Sequence, residues 1–418
     1  MADGKVFSNG QLLQWLALQQ AEMLQRTIEL ASINSGSFNA SGVNQVAELI
    51  KSYCQPLDGK IETIETSDLK KWNDQGELQH LTLGNILKIT KRPNAPLQIY
   101  LGGHLDTVFD KTHHFQNITH VDSNTIQGPG VTDLKGGLMV MLYALIAFEK
   151  NIDCKNIGWT ILLNPDEEIG SPGSAAYIEK TAKTCDIGLI YEPSFPDGNL
   201  AGARKGSGNF TAKVSGRSAH AGREHHLGRN AIRAMADFIS QLDDLNGQVP
   251  GITINPGVIN GGVATNVVPD LCLFQFNIRL EKLQDQQWCQ QKIQQLVEQI
   301  NARDGITLEL QGGFTRQPKL ITPKNKKLFE LAIDCGKSIN LNLDYLPTGG
   351  CCDGNNLSAV GLPNIDTLGV QGGRIHSDQE YLIINSLHQR AQLSLLILQR
   401  LAATADQWNA DRQQRCRP

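Results

Sequence analysis

Three apolar runs of strand length, 97–101, 159–163 and 187–191, each end in ionisable residues, and this repetition constrains the fold more than any other feature. The first runs into Gly102-Gly103-His104-Leu105-Asp106, the second into Asn164-Pro165-Asp166-Glu167-Glu168, and the third into Glu192. Between them, 136–150 and 174–183 read as helices. Strand alternating with helix predicts an α/β domain with a mostly parallel sheet. The carboxyl ends of such strands form one edge where ligands bind, so side chains distant in sequence converge there. Asp133, in the glycine-rich stretch before a helix, and His376, in Gly-Gly-Arg-Ile-His-Ser, are candidates to join them.

The rest of the chain falls around this pattern. Segments 12–31 and 43–54 carry apolar residues at helical spacing and read as packing helices. A different rhythm starts near Lys205: strand 209–214, helix 229–245, strands 252–259 and 271–280, helix 284–302 and strand 306–310. That β-α-β-β-α-β order is the ferredoxin-like pattern. Helix-like and strand-like segments return at Pro318 and end in a helical stretch, 387–402. The expected organisation is a discontinuous α/β domain, 1–205 and 318–418, around an inserted α+β domain, 206–317.

Composition excludes several functions. With 38 Lys and Arg against 42 Asp and Glu, the net charge of −4 leaves no broad basic face for nucleic acid. The apolar run 138–148 falls short of the roughly 20 residues that span a bilayer, so no membrane span is expected. No apolar segment follows Lys5 as in a secretory signal, which makes the cytoplasm the expected compartment. Nine cysteines without zinc-type spacing fit reduced thiols there.

Taken singly, each candidate has an ordinary explanation. Glu167 and Glu168 could form a solvated turn, Asp133 could cap a helix, Glu192 could be a surface charge, and His104, Asp106 and His376 could be hydrogen-bonded structural residues. Taken together, these carboxylates would repel one another and take up protons unless a cation neutralised them. Imidazole with carboxylate suits Zn²⁺ and its first-row neighbours. A bridging Asp with one further carboxylate and one His per ion would hold two metals about 3.5 to 4 Å apart, with a shared water between them. A carboxylate left unligated could then act as general base.

The blocks 103–108, 128–137, 166–170 and 373–377 resemble, in order, the signature blocks of the M20 family of metallopeptidases. The resemblance covers nearly the whole chain, inserted domain included. It implies two Zn²⁺ ions, with Co²⁺ as a possible substitute. Asp133 would bridge them, His104 and Glu192 would complete one site, and Glu168 and His376 the other. It further implies Glu167 as general base and Asp106 as the carboxylate that orients His104. In the inserted domain, His220 of 216–222 matches a residue that reaches the partner subunit's active site and stabilises the oxyanion. Asn266 and Arg279 match substrate-binding positions, and a guanidinium suits a substrate carboxylate. Gly350 belongs to the glycine pair beside the pocket.

One departure stands out: Cys351 and Cys352 follow Gly349-Gly350 where the family usually carries hydroxyl residues before the Asp. This bears on substrate choice, since neither position matches a metal ligand. The expected activity is hydrolysis of an amide bond that frees a C-terminal amino acid, glutamate being one candidate, from a small peptide or N-acyl amino acid, in a homodimer formed through the inserted domain. Rival expectations are an aminoacylase or deacetylase with the same site, a catalytically silent binding protein on the same fold, and a thiol-dependent enzyme using the cysteine pair.

Overall fold

The computed structural model describes residues 8–409, with the side chains of 152 and 153 left aside. Most of the N-terminal stretch read for a secretory signal lies outside these residues, as does Cys416. The eight cysteines among the described residues are free thiols.

The main sheet has six strands in the order Lys60–Ile64, Ile86–Lys91, Ile157–Asn164, Leu97–His104, Ile187–Ile190, Asn364–Ile365. The Leu97–His104 strand runs parallel to both of its neighbours, while Ile86–Lys91 runs against its own. Every residue of Leu97–His104 and Ile157–Asn164 is buried. Helices cover both faces of a parallel sheet, which is why these strands read as unbroken apolar runs. The register then sets the site. His104 pairs with Asn164, and Gly102 with Ile190, so Asp166 to Glu168 and Glu192 emerge at the same edge as His104.

Helix Gly136–Glu149 lies in the core under this sheet, with Ile384–Ala403 packed against it. Counted from Val131, the segment Val131–Glu149 is apolar and long enough to cross a membrane, but 94% of its most apolar window is buried inside the protein, as in a core helix. The N-terminal segment expected as one helix is two, Asn9–Leu18 and Gln20–Ala31. The chain turns at Gln19, whose N–H bonds to Leu16 O. Each helix buries its own stripe, Leu12 and Leu16 in the first and Met23, Thr27 and Leu30 in the second.

The inserted unit is a four-stranded antiparallel sheet in the order Thr253–Gly261, Leu271–Leu280, Gly206–Ser215, Thr307–Arg316. Helices Ala231–Asp243 and Gln284–Asn301 complete the β-α-β-β-α-β order. Alternation along Gly206–Ser215 turns Phe210, Ala212 and Val214 inward, where they meet Phe238, Phe274 and Phe276. Thr253–Gly261 is an edge strand whose Val258 and Ile259 are exposed.

Backbone and hairpin contacts join the units. Where the chain crosses between them, the backbones of Arg204 and Lys319 exchange hydrogen bonds of 3.0 Å in both directions. A hairpin, Leu69–Trp72 with Leu78–Leu81, reaches across to the inserted sheet: Gln311 Nε2 donates to Lys70 O at 2.6 Å, and Lys213 Nζ lies 4.7 Å from the Trp72 ring centroid.

Candidate metal centre

Asp133 stands at the middle of the cluster. Its Oδ1 lies 3.1 Å from His104 Nε2 and its Oδ2 3.3 Å from His376 Nε2. Asp133 does not cap the helix that follows; it sits in a kinked segment with non-helical backbone angles, and the helix starts at Gly136. Glu380 builds that segment. Its buried carboxylate accepts the backbone N–H groups of Gly130, Thr132 and Asp133 at 3.1, 2.9 and 3.0 Å.

Around Asp133, Glu168 Oε2 lies 3.1 Å from His376 Nε2, and Glu192 Oε2 lies 3.8 Å from His104 Nε2. Ligand atoms of His104, Asp133 and Glu168 all fall within 4.8 Å of one another. Asp106 stands behind His104, its Oδ1 3.4 Å from Nδ1. It is fixed in turn by the Ser37 hydroxyl at 2.7 Å and by the N–H groups of Glu167 and Glu168 at 3.1 and 3.2 Å. One carboxylate thus orients both the imidazole and the turn carrying the next two acids.

Glu167 lines the same cavity as His376 and pairs with a cation of its own. Its Oε1 meets Arg316 at 2.8 Å, and the same guanidinium donates to Glu167 O, Ser171 Oγ and Asp353 Oδ1. Arg316 ends the last strand of the inserted unit, so that unit reaches the candidate base directly. Asp166 is a neighbour of another kind, buried and turned into its own loop toward Ser174 Oγ and Gly173 N.

The electrostatics show what the cluster requires. Burial, with Asp133 beside it, pushes Glu168 up to about 8, and burial pushes Glu167 and Glu192 up as well. Hydrogen bonds to Asp133 and Glu168 raise His376 to about 11. Burial works against Asp133, but the two imidazoles more than offset it and its carboxyl stays low. Protons and cationic imidazoles balance the packed carboxylates, and divalent cations would balance them equally well. Among the described residues Glu192 Oε1 is buried without a hydrogen-bond partner, as an oxygen kept for an ion would be. The donor set, imidazole with carboxylate, fits a metal ion of the zinc type.

The remaining sequence candidates divide. Gly350 lines a 340 Å³ cavity together with Glu167, Glu168, Glu192 and His376, and its carbonyl accepts from Arg204 at 3.3 Å. Arg279 is not a free surface residue: it donates to Asn277 Oδ1 and lies 2.8 Å from Cys351 Sγ. Cys351 lines the same cavity between Arg279 and Arg316, at 3.9 Å from the latter. Cys352 is buried, its thiol pushed well up by burial, and caps helix Asp353–Ala359 by accepting from Gly354 N. That disfavours it as a nucleophile.

His220 and Asn266 lie elsewhere, exposed on a short ribbon of the inserted unit in which His220 pairs with Val267 and Ala221 N donates to Asn266 O. Neither lines the cavity of its own chain. The His220 Nδ1 accepts from Gly222 N and Arg223 N, which leaves Nε2 as the protonated, outward donor. Sequence reasoning missed Arg316 and Glu380. Arg316 stands in an ordinary amphipathic strand, and Glu380 was visible only as a carboxylate four residues after His376.

Comparison with known proteins fits this picture. Residues 202–305 match the peptidase dimerisation domain of the M20 family. An M20 family metallo-carboxypeptidase from Sulfolobus solfataricus has the same fold, with a TM-score of 0.73 at 17% identity over 91% of this chain and 99% of its own. The chain is thus similar in fold to an M20 metallo-carboxypeptidase and, over 202–305, to the peptidase dimerisation domain. Among its relatives, carboxypeptidase G2 from Pseudomonas sp. strain RS-16 is 24% identical over 92% of this chain and 90% of its own. A succinyl-diaminopimelate desuccinylase from Vesicomyosocius okutanii is 26% identical over 83% and 95%.

Proposed function

We propose that this protein is a di-zinc amidohydrolase that releases a C-terminal amino acid from a small peptide or N-acyl amino acid. The observation that carries the reading is one carboxylate, Asp133, turned with an oxygen toward each of two imidazoles while Glu167 stands beside them in contact with neither. His104, Glu192 and Asp133 would hold one ion, and Glu168, His376 and Asp133 the other. Ions held there would supply polarisation of the scissile carbonyl and a more acidic water for attack on it. Glu167 takes the proton of that water and returns it to the leaving amine. Arg316 keeps the Glu167 carboxylate in place and offsets the burial that raises it.

Arg279 and Arg316 bring two guanidinium groups to the cavity wall at Cys351, where a substrate carboxylate is recognised. His220 acts in a homodimer. Its Nε2–H faces outward on the inserted unit, and the exposed edge strand Thr253–Gly261 offers unpaired backbone groups and apolar side chains for pairing between copies.

The test measures amino-acid release by mass spectrometry from C-terminally varied dipeptides and N-acyl amino acids, with zinc and with chelator. Release abolished by chelator and restored by zinc is expected; release that persists after metal removal would overturn the reading. Mixing His220→Ala with Glu167→Ala subunits should restore activity that neither has alone. No recovery after verified subunit exchange would remove His220 from the partner's site.

A further inference from the structure

Glu168 lines three cavities, one beside residues 36–39 and 107–112 and two that extend from it toward Cys351 and toward the inserted sheet. The 340 Å³ cavity lies on the guanidinium side, since Cys351 in its wall meets Arg279 and Arg316. Another, of 460 Å³, runs from Glu168 and Ile169 beneath the open face of the inserted sheet and is closed by Lys70 and Lys71 of the hairpin. An amide held at the cluster with its carboxylate among the guanidiniums sends its acyl half away from them, and of the two further cavities at Glu168 only this cleft is walled by the inserted sheet.

The cleft's walls suit a chain of peptide groups. Alternation along the inserted strands puts Phe210 and Phe276 inward and leaves Asn209, Gln275 and Asn277 outward, facing the cleft. Such positions are usually solvated, but here they face the catalytic unit. Gln275, with Asn255 on the neighbouring strand, makes no side-chain hydrogen bond among the described residues. Each carboxamide offers one acceptor and two donors, the complement of a peptide N–H and C=O. Past them stands Phe38, 49% exposed, with Lys71 Nζ 5.7 Å from its ring centroid. Apart from Glu168 at the metal end, Lys70 and Lys71 are the charged side chains of the cleft, so its outer end attracts anions.

We propose that this cleft is the acyl-side subsite and that it takes a peptidyl group, preferably with an acidic side chain at its far end, in place of a short acyl group. The proposal rests on the amide-hydrolysis reading above. The hairpin forms the roof, tied to the inserted sheet through Gln311 and Lys70, and sets the length the cleft accepts.

The experiment compares release of glutamate from four acyl groups: acetyl, Gly-Gly, Glu-Gly and Lys-Gly. The Gly-Gly substrate should exceed the acetyl one in kcat/KM at least tenfold, and Glu-Gly should exceed Lys-Gly severalfold. In the double variant Asn255→Ala with Gln275→Ala the first ratio should fall toward one, and in Lys71→Ala the second should do so. Equal kcat/KM across the four groups, in an enzyme that cleaves all of them, would overturn the cleft and leave the hydrolysis reading standing. If none is cleaved, the panel of varied C-terminal amino acids decides the hydrolysis reading and calorimetry decides the cleft. The dipeptide Glu-Gly should then bind the wild-type chain at least tenfold more tightly than the double variant, and equal binding would overturn the proposal.

Discussion

Glu167 stands between burial, which pushes its carboxyl toward the neutral form, and Arg316, which pulls it back. A base held in that balance trades a proton in either direction. Substituting Glu167→Gln should lower kcat by about 10² to 10⁴-fold while the zinc content measured by atomic absorption stays at the wild-type level. Glu380 acts one step further out. Its carboxylate holds three backbone amides of the segment that presents Asp133, and Glu380→Ala would release all three. Zinc affinity, read by competition with a chromophoric chelator, should weaken by about 10 to 100-fold, as for other groups that orient metal ligands. The control is Gln311→Ala, which bonds Lys70 O on the hairpin and no proposed ligand; an equal loss of affinity there would deny Glu380 its role.

At the scale of elements, the site depends on how closely the core helix approaches the sheet. A Cβ on Gly137 would fall 2.1 Å from Tyr191 O, at the end of the strand that delivers Glu192. Backbone cannot yield as a side-chain tip can. Gly137→Ala should therefore cost about 1 to 3 kcal/mol in chemical unfolding, where the same change at Gly10, with open space around it, should cost little. The parallel strands were legible because double-sided burial leaves unbroken apolar runs. Strands Lys60–Ile64 and Ile86–Lys91 were not, since the first is a half-exposed edge with no such run. The break at Gln19 also escaped notice, because apolar spacing alone does not tell one long helix from two short ones.

At the scale of the molecule, the crossing between the two units is secured by a buried triad. Asp366 accepts from Arg204 Nε and from Lys319 Nζ, each at 2.8 Å. Burial works against the Asp366 carboxylate, but the two cations outweigh it and hold its pKa at about 2. The folded value lies below the unfolded value of about 3.9. The stabilisation is thus complete above pH about 4 and is lost as pH falls through about 2. Asp366→Asn should be about 3 to 5 kcal/mol less stable than wild type at pH 6, since two buried cations lose their partner. Chemical unfolding should show the gap narrowing at pH 2.5. A gap of equal size at both values would separate this triad from the acid sensitivity of the fold.

By itself the sequence determined the class of sheet, the order of the inserted elements and the carboxylates and imidazoles of the cluster. Each of these depends on local pattern: runs of apolar residues, their period, and the residues that end them. It also carried the family likeness. Only the tertiary structure decided that Arg316 from the inserted unit meets Glu167, that Glu380 builds the Asp133 segment, and that His220 is exposed and lines no part of its own chain's cavity. Those contacts join residues far apart along the chain or across the two units. No local period records them, because they arise from strand register and from the way one packed unit rests on another.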